Sequence, residues 1–579
     1  MNILEKLKQN IVIEVNKIFS EHEISSTDIV FPPKNEQGDL CLPSFELAKK
    51  NKKNPIQIAD SLENKLEKIE GIKEFKAQGP YLNFILDKDY IVSETLSAIF
   101  KEKNKYGQNQ EFKGKKIMIE FAHPNPFKAF HIGHLRNIIL GESLVRIFEF
   151  SSAQVIRTNY QGDVGMHIAK CIWAFRKIDE KDYPENINER VSLLADCYSK
   201  GAGAFESDAI AKSEIEIINK EIYEQEDKDI KKLWELGKKW SLDKFAQIYK
   251  RLDTRFDRQY MESEIKNEAI YYIEEALKKK ILIRSEGAVI FPGDKYGLET
   301  RVFLNSQGLP TYDGKELGLA YREFTDFGKI DLCIHNVAVE QISFFKVNFK
   351  VQELLDPQRF KDKQKHNAYE FVGLKKGKMS SRLGKVVLAE TIIDLAKDKI
   401  KEIICDRKNN DENNFSIKDN TEEVSEKLAI SSIKYAFLKI NPFKYFAFDV
   451  EESVSFSGNS GPYINYTYAR INSILKKGKP GKLSKNIYKY LNYDEEKDLI
   501  VHLSKFPQII IDSRREYNPS ELVKYLFELS KKFNDYYHKV PIIKANDKEK
   551  KARLKLLQAL SQVLENGAYL LGFELVQDM

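Results

Sequence analysis

Long apolar runs are missing from this 579-residue chain. No stretch reaches the roughly 18 consecutive apolar residues that a membrane-crossing helix needs, so no membrane span is expected. Cysteine is scarce and scattered: Cys41, Cys171, Cys197, Cys333 and Cys405 form no Cys-x-x-Cys pair. That argues against a zinc ribbon or a disulfide framework and reads as reduced thiols in a cytoplasmic protein. The pattern His-Glu-x-x-His is also absent, and no metal site is expected. Neither sign of charge dominates, since 93 Lys plus Arg against 87 Asp plus Glu leave +6. This balance permits nucleic-acid binding without arguing for it, because a basic patch must then come from clustering. The opening Met1-Asn-Ile-Leu-Glu-Lys-Leu-Lys8 is charged and helix-like, unlike a secretory leader. There is no internal repeat.

The length suits three or four domains. Residues 1–110 read as an α+β unit. It opens with an amphipathic helix, has a helical stretch from Leu42 to Leu66, and closes with a turn and strand in Gln78-Gly-Pro-Tyr-Leu-Asn-Phe-Ile-Leu86. Residues 111–395 read as a nucleotide-binding α/β unit, interrupted at about 170–255 by charged helical segments. A connecting segment, 396–424, contains the polar run Asp406-Arg-Lys-Asn-Asn-Asp-Glu-Asn-Asn414, which reads as a mobile loop. From 425 to 579 the pattern is helical.

The most informative stretch is Phe121-Ala-His-Pro-Asn-Pro-Phe-Lys-Ala-Phe-His-Ile-Gly-His134. An apolar run, Ile117 to Phe121, precedes it. A helical pattern follows, with Leu135, Ile138, Ile139, Leu144, Ile147 and Phe148 on one side, and then a strand-like run from Val155 to Tyr160. Strand, loop, helix, strand is a βαβ unit. A helix N-terminus offers free N–H groups and a positive dipole end to an anion. His131 and His134 can add donors for phosphate there, and Gly133 can admit an adenine or ribose close to the backbone. Metal ligation and plain helix capping remain open for the two histidines. A second loop, Gly377-Lys-Met-Ser-Ser-Arg-Leu-Gly-Lys385, is small, basic and hydroxyl-rich. Lys378 and Arg382 can supply charge to a triphosphate, and Ser380 and Ser381 hydroxyls. Its other reading is a solvated basic turn.

Together the two loops resemble the paired signatures of class I aminoacyl-tRNA synthetases, His-Ile-Gly-His and Lys-Met-Ser-Lys-Ser. The finer pattern resembles the arginyl-tRNA synthetase family over nearly the whole chain. The resemblance implies a multidomain α/β protein: an N-terminal α+β domain against the tRNA elbow, a Rossmann-type catalytic domain with a helical insertion, and a C-terminal all-α anticodon-binding bundle. It implies ATP-dependent activation of L-arginine and transfer to the 3′ end of tRNA(Arg). Magnesium would arrive with ATP as substrate, the first step would need bound tRNA, and a monomer is the default.

Residue by residue, the resemblance assigns Asn125 to the α-amino group of arginine, and Glu262, Tyr312, Glu316 and Gln341 to the arginine pocket. It assigns His131, Gly133, His134, Lys378, Met379, Ser380 and Ser381 to ATP. Lys128, His131, His134, Lys378 and Arg382 would stabilise charge on the phosphates. Ser381 stands where the second signature usually has its second lysine, and Lys128 is the compensating cation. Three further departures stand out: Val164 for a tryptophan in Gly162-Asp-Val-Gly165, Glu316 for an aspartate, and His123 for a small residue. A guanidinium is a planar fork of five donors, which paired carboxylates suit. Lysine would leave acceptors unpaired, so no editing domain is expected. For tRNA the resemblance points to Gln78, Tyr81 and Asn83 near the elbow, and to Tyr537, with Tyr536 beside it, and Met579 near the anticodon. The run Ser455–Ile471, with Tyr463, Tyr466 and Arg470 at helical spacing, also resembles the anticodon-binding domain. Two other readings stand beside this one: a class I synthetase for another amino acid, cysteine or glutamate, and a tRNA-binding paralogue without catalysis.

Overall fold

The computed structural model describes residues 3–19, 23–32, 38–375, 387–409, 421–481 and 487–579. Helix α1 (Ile3–Ile18) opens the chain and buries Leu4, Leu7, Ile11 and Val15, the i, i+3/i+4 stripe of an amphipathic helix. Strand β1 (Leu40–Pro43), helices α2 (Phe45–Asn51) and α3 (Pro55–Lys65), strands β2 (Ile72–Gln78) and β3 (Tyr81–Leu86) and helix α4 (Lys88–Glu102) complete the first unit. Its antiparallel sheet has the order β1-β3-β2. The single helical stretch expected at Leu42–Leu66 is two helices. Lys52 turns left-handed at φ 51°, and Asn54 caps a new helix whose first residue is Pro55.

The central unit begins with strand β4 (Lys116–Glu120), helix α5 (Ile132–Phe150) and strand β5 (Gln154–Gln161). The insertion follows as helices α6 (Met166–Phe175), α7 (Ile187–Ser207), α8 (Ala209–Glu224) and α9 (Lys228–Arg251). The sheet resumes with β6 (Arg258–Met261) and helix α10 (Glu262–Lys278). A small antiparallel sheet, β7 (Ile283–Ser285), β8 (Ala288–Phe291) and β9 (Arg301–Leu304), precedes helix α11 (Tyr312–Asp326). Then come β10 (Leu332–Ala338), α12 (Ile342–Leu355), α13 (Pro357–Phe360), β11 (Gln364–Tyr369) and β12 (Val372–Leu374). The main sheet is parallel throughout, in the order β11-β10-β4-β5-β6. The chain leaves β4 toward β5 on one side and returns to β10 on the other. The crevice beyond the carboxyl ends of β4 and β10 is therefore the topological switch point, where such sheets hold ligands.

Helix α5 is buried on every side rather than on the one side its apolar residues suggested. Arg136, Asn137, Glu142 and Arg146 occupy the remaining face and are 3–7% exposed. Each has polar partners, as buried polar groups require. Arg136 donates to the carbonyls of Pro442 and Lys444, and Arg146 to Glu142, Asp253 and the Tyr569 carbonyl. Asn137 accepts from the Ala122 N–H (2.8 Å) and donates to the Asn336 carbonyl (3.0 Å). Asn336 donates back to Asn137, and Asn367 donates to Asn336. This amide chain ties the histidine loop to β10 and β11.

Six helices build most of the C-terminal region: Ala389–Asn409, Thr421–Leu438, Gly461–Gly478, Asp494–Arg515, Ser520–Lys539 and Asp547–Leu570. The all-helical pattern has one exception, strand β13 (Phe446–Phe448), which pairs in parallel with β12. Residues 406–409 of the expected loop continue a helix, and 410–414 lie outside the described residues. Cys41, Cys171, Cys197 and Cys333 are buried free thiols and Cys405 an exposed one. Among the described residues no helix is long and apolar enough to cross a membrane.

Asn137→Leu keeps the branched shape of the side chain and removes both halves of the central amide contact. The Ala122 N–H and Asn336 carbonyl lose their partners, at about 1–3 kcal/mol each. A lower urea midpoint for the catalytic-region transition is expected, and an unchanged midpoint would show that the amide chain contributes nothing.

Candidate active site

A cavity of about 390 Å³ opens at the switch point and is lined by the loop after β4, the start of α5, and residues of β5, α10, α11, β10 and β12. Asn125, His131, Gly133, His134, Glu262, Tyr312, Glu316 and Gln341 all line it. The loop is held in an uncommon conformation. Ala122 (φ 84°), His123 (φ 51°) and Phe127 (φ 64°) are left-handed without being glycine, each at a cost of about 1–3 kcal/mol. Specific bonds hold two of them there: Ala122 N–H to Asn137, and Phe127 N–H to the Ser241 hydroxyl at 3.0 Å.

His131 is the N-cap of α5. Its Nδ1 accepts from the Gly133 N–H (3.0 Å), while His134 Nδ1 accepts from the His131 N–H (3.1 Å). Two rings therefore form the capping box that Ser and Glu form elsewhere. Because a backbone N–H can only donate, both Nδ1 atoms are unprotonated and each neutral ring carries its proton on Nε2. Burial, with Lys128 adding to it, lowers the pKa of His131, and that of His134 falls further for the same reasons and because His131 stands beside it. The pair is neutral at pH 7, with two Nε2–H donors at a helix N-terminus. Gly133 is required for a nearer reason than ligand approach: a Cβ there would lie 2.9 Å from the His131 ring. Lys128 is exposed, does not line the cavity, and lies near enough to depress His131, His134 and His167.

Lys378, Met379, Ser380, Ser381 and Arg382 lie outside the described residues. Their described flanks adjoin the cavity. Val372 lines it, the Val387 carbonyl accepts from the Ile132 N–H at 3.0 Å, and the Ala389 N–H donates to Phe130 at 2.9 Å.

The other end of the cavity is acidic. Glu316 and Glu120 are each 2% exposed, and neither pairs with a lysine or arginine among the described residues. Glu120 Oε2, Glu316 Oε1, the Tyr160 hydroxyl and His123 Nε2 are buried without a hydrogen-bond partner. Burial, with Glu120 close by, pushes Glu316 up to about 8. Tyr312 and Glu316 face the same cavity because α11 is helical from Tyr312 onward. The Tyr312 ring is 48% exposed and lies 4.7 Å from that of Phe344. Glu262 differs from Glu316 in having a cation of its own, Lys315, at 2.8 Å. Asn125 accepts from the Gly162 N–H at 2.7 Å. A Cβ on Gly162 would meet Asn125 Oδ1 at 3.2 Å and Glu262 Oε1 at 3.3 Å, so a side chain there would press on both acceptors where they converge. Asp163, next in the chain, caps α10 through the Ser263 N–H (2.9 Å) and hydroxyl (2.7 Å), which positions Glu262.

Sequence reasoning missed Glu120, Glu323 and His335. An acid ending the otherwise apolar strand Ile117-Met-Ile-Glu120 was the available signal for Glu120. Glu323 had a local signal, two helical turns after Glu316 on one helix, whereas His335 gave none, since its place beside Glu120 comes from strand pairing. Among the described residues no group of three or more His, Cys, Asp or Glu side chains is arranged to hold a metal.

The expected RNA contacts divide. Gln78, Tyr81 (38% exposed) and Tyr537 (40% exposed) face outward, whereas Tyr536 is buried. Asn83 (5%) and Met579 (8%) are buried, so their side chains are not on the surface. Asn83 lies in the central strand of its sheet, and the chain end folds onto the helix Gly461–Gly478 through the Val576 N–H and Asn465. Tyr537 borders a half-buried polar group: Arg470 lies 5.3 Å from its ring and bonds Tyr466 and Asn534.

Comparison with known proteins agrees along the whole chain. Three family descriptions match: "Arginyl tRNA synthetase N terminal domain" at residues 5–86, "tRNA synthetases class I (R), catalytic domain" at 95–450, and "DALR anticodon binding domain" at 464–579. The chain is 33% identical to the arginine–tRNA ligase of Clostridium acetobutylicum, covering 100% of this chain and 99% of that one. It is also 33% identical to that of Clostridium botulinum, with the same coverage. Among solved structures it resembles Thermus thermophilus arginyl-tRNA synthetase, at TM-score 0.82 and 24% identity over 99% of both chains. That of Plasmodium falciparum follows at TM-score 0.79 and 22% identity, over 100% of this chain and 99% of that one. A cavity at the switch point with a helix N-terminus at one end and buried acids at the other thus sits in a chain that belongs to the arginyl-tRNA synthetase family of class I enzymes.

Proposed function

We propose that this chain activates L-arginine with ATP and transfers it to the 3′ end of tRNA(Arg). The observation that carries the reading is the polarity of one cavity. Two neutral imidazole donors cap a helix at one end, and carboxyl oxygens without partners line the other. The first suits phosphate oxygens, the second a many-donor cation.

In the first step the arginine carboxylate attacks the α-phosphate of ATP in line, and pyrophosphate leaves. The terminal ribose hydroxyl of the tRNA then attacks the adenylate carbonyl and AMP leaves. No nucleophile is required of the protein, so positioning and electrostatic stabilisation supply the rate. His131 and His134 hold phosphate through Nε2–H, and Lys128, Lys378 and Arg382 add charge as it develops. Magnesium enters with ATP as part of the substrate. Asn125 receives the α-amino group, while Glu262, Glu316 and Glu120 accept the guanidinium, with Tyr312 and Gln341 alongside. Outward-facing Gln78, Tyr81 and Tyr537 are the proposed tRNA contacts.

Charging of total tRNA with labelled arginine, with each of the twenty amino acids as competitor, tests the reading. Incorporation is expected to be suppressed by unlabelled arginine alone; no incorporation, or suppression by another amino acid, rejects it. Lys128→Ala is expected to lower the turnover of adenylate formation about 10²-fold and to change the arginine KM by less than roughly threefold. An unchanged turnover would remove Lys128 from phosphate stabilisation. Glu262→Gln leaves Lys315 without its carboxylate beside the pocket, and the arginine KM is expected to rise at least ~10-fold while the ATP KM holds. Wild-type kinetics for both arginine and canavanine would disprove that assignment.

A further inference from the structure

The floor of the arginine pocket carries more ionisable groups than binding one cation needs. Glu120 on β4, Glu316 and Glu323 on α11 and His335 on β10 are all at most 2% exposed. His335 Nδ1 lies 3.6 Å from Glu120 Oε1 and 4.0 Å from Glu316 Oε1. Its other nitrogen, Nε2, is 2.9 Å from Gln364 Oε1, whose amide Nε2 donates to Gln352 at 3.0 Å, and 3.5 Å from Cys333 Sγ. His335 Nε2 therefore carries a hydrogen. A neutral ring would then aim a bare Nδ1 lone pair at two carboxyl groups. That arrangement is repulsive unless a proton resides on Nδ1 or on a facing carboxyl, so the geometry alone requires at least one extra proton in this cluster.

We infer that the floor exchanges a proton for its substrate: a guanidinium docking on Glu120 and Glu316 displaces one proton from the cluster, and His335 is the positioning residue that holds Glu120 ionised while the pocket is empty. The inference rests on the arginine reading above. The O–H bond of Glu316 breaks, its electron pair stays on the carboxylate, and the proton leaves through the open cavity to water. Charge balances on both sides. The empty floor has Glu120 negative and His335 positive, with Glu316 and Glu323 protonated. The filled floor adds one guanidinium and one carboxylate.

The surrounding groups fit this assignment. Burial raises Glu120, but the charge and hydrogen bond of His335, with His123, outweigh it and leave Glu120 below the usual carboxylate range. Burial alone would lower His335. It is held well above its ordinary value instead, by Cys333 and Glu120. Cys333, pushed up to about 12 by burial, is an uncharged thiol at neutral pH, so the Glu120 carboxylate is the effective partner. Glu323 is raised by burial and by Glu120 and stays protonated. From the other elements, His123 faces Glu120 at 3.7 Å, while Tyr160, Tyr312, Asp313 and the Glu262–Lys315 pair are the remaining titratable neighbours. Among the described residues none of them supplies a lysine or arginine to Glu316. Burial as the first cause and Glu120 as the second put its proton release near pH 8.

Calorimetric titration of the full chain with arginine, in two buffers of different ionisation enthalpy, counts the protons. About one released at pH 7 and none at pH 9 is expected, together with an arginine KM that falls about tenfold per pH unit below 8 and levels off above it. In His335→Gln, which removes the cation that lowers both Glu120 and Glu316, the release at pH 7 is expected to rise above one proton and release to persist at pH 9, with the levelling of KM displaced above pH 8. A structural role alone would raise KM equally at every pH. Glu316→Gln, isosteric with the protonated acid, is the second variant should His335→Gln not fold, and it is expected to release no proton at pH 7. Arginine binding with an equal proton count at pH 7 and 9, or a folded variant that keeps the wild-type profile, overturns the inference alone. Absence of arginine binding at every pH removes the functional reading as well.

Discussion

The position of helix α5 governs the site. Its first turn carries the imidazole pair, and it is buried on all sides, so it cannot shift without breaking several polar contacts. Asn137 fixes it to the histidine loop and to β10, and Arg136 fixes it to the segment around β13. At its far end, Ser143 and Arg146 donate to the carbonyls of Leu570 and Tyr569, at the end of the last helix. Lys434, fully buried and lowered to about 7 by that burial, donates to the Leu252 carbonyl and to that of Gly572 beside it. One rigid element thus joins the phosphate end of the cavity to the C-terminal region. Buried polar contacts specify such a junction more sharply than apolar packing, because a misfit leaves each group unsatisfied.

Burial acts in opposite ways at the two ends of the cavity. At the phosphate end it removes charge from His131 and His134, which leaves them as neutral donors whose hydrogens are aimed by the helix cap. At the acidic end it makes carboxyl groups reluctant to ionise until a cation arrives, Glu316 most plainly. The same desolvation therefore tunes one end for an anion and the other for a cation, with Lys315 and His335 serving as internal counter-ions. Backbone strain in the intervening loop is consistent with this division. Ala122, His123 and Phe127 hold conformations they would not choose, next to the atoms that do the binding.

Much of the fold could be read from local pattern. The strand–loop–helix–strand run, the helical insertion and the helical C-terminal region follow from periodicity, because each element's apolar repeat is written within its own residues. The two signature loops and the i, i+4 pair of Tyr312 and Glu316 were equally local. Reading failed where contact partners are distant in the chain. Helix α5 looks one-sided in sequence because its polar face pairs with residues as far away as Pro442, Lys444 and Tyr569. Asn83 and Met579, which the resemblance sets against tRNA, are enclosed by a sheet and a folded-back chain end.

The class of chemistry is legible in residue order: two phosphate-type loops in succession, and acids at positions suited to a guanidinium. How those acids are charged is a product of packing. The β4–β10 pairing brings His335 beside Glu120, and α11, the helix just before β10, adds Glu316 and Glu323, all far from β4 along the chain. Protonation depends on burial and on neighbours within a few ångströms, and both are set by which strands lie side by side rather than by the order of residues.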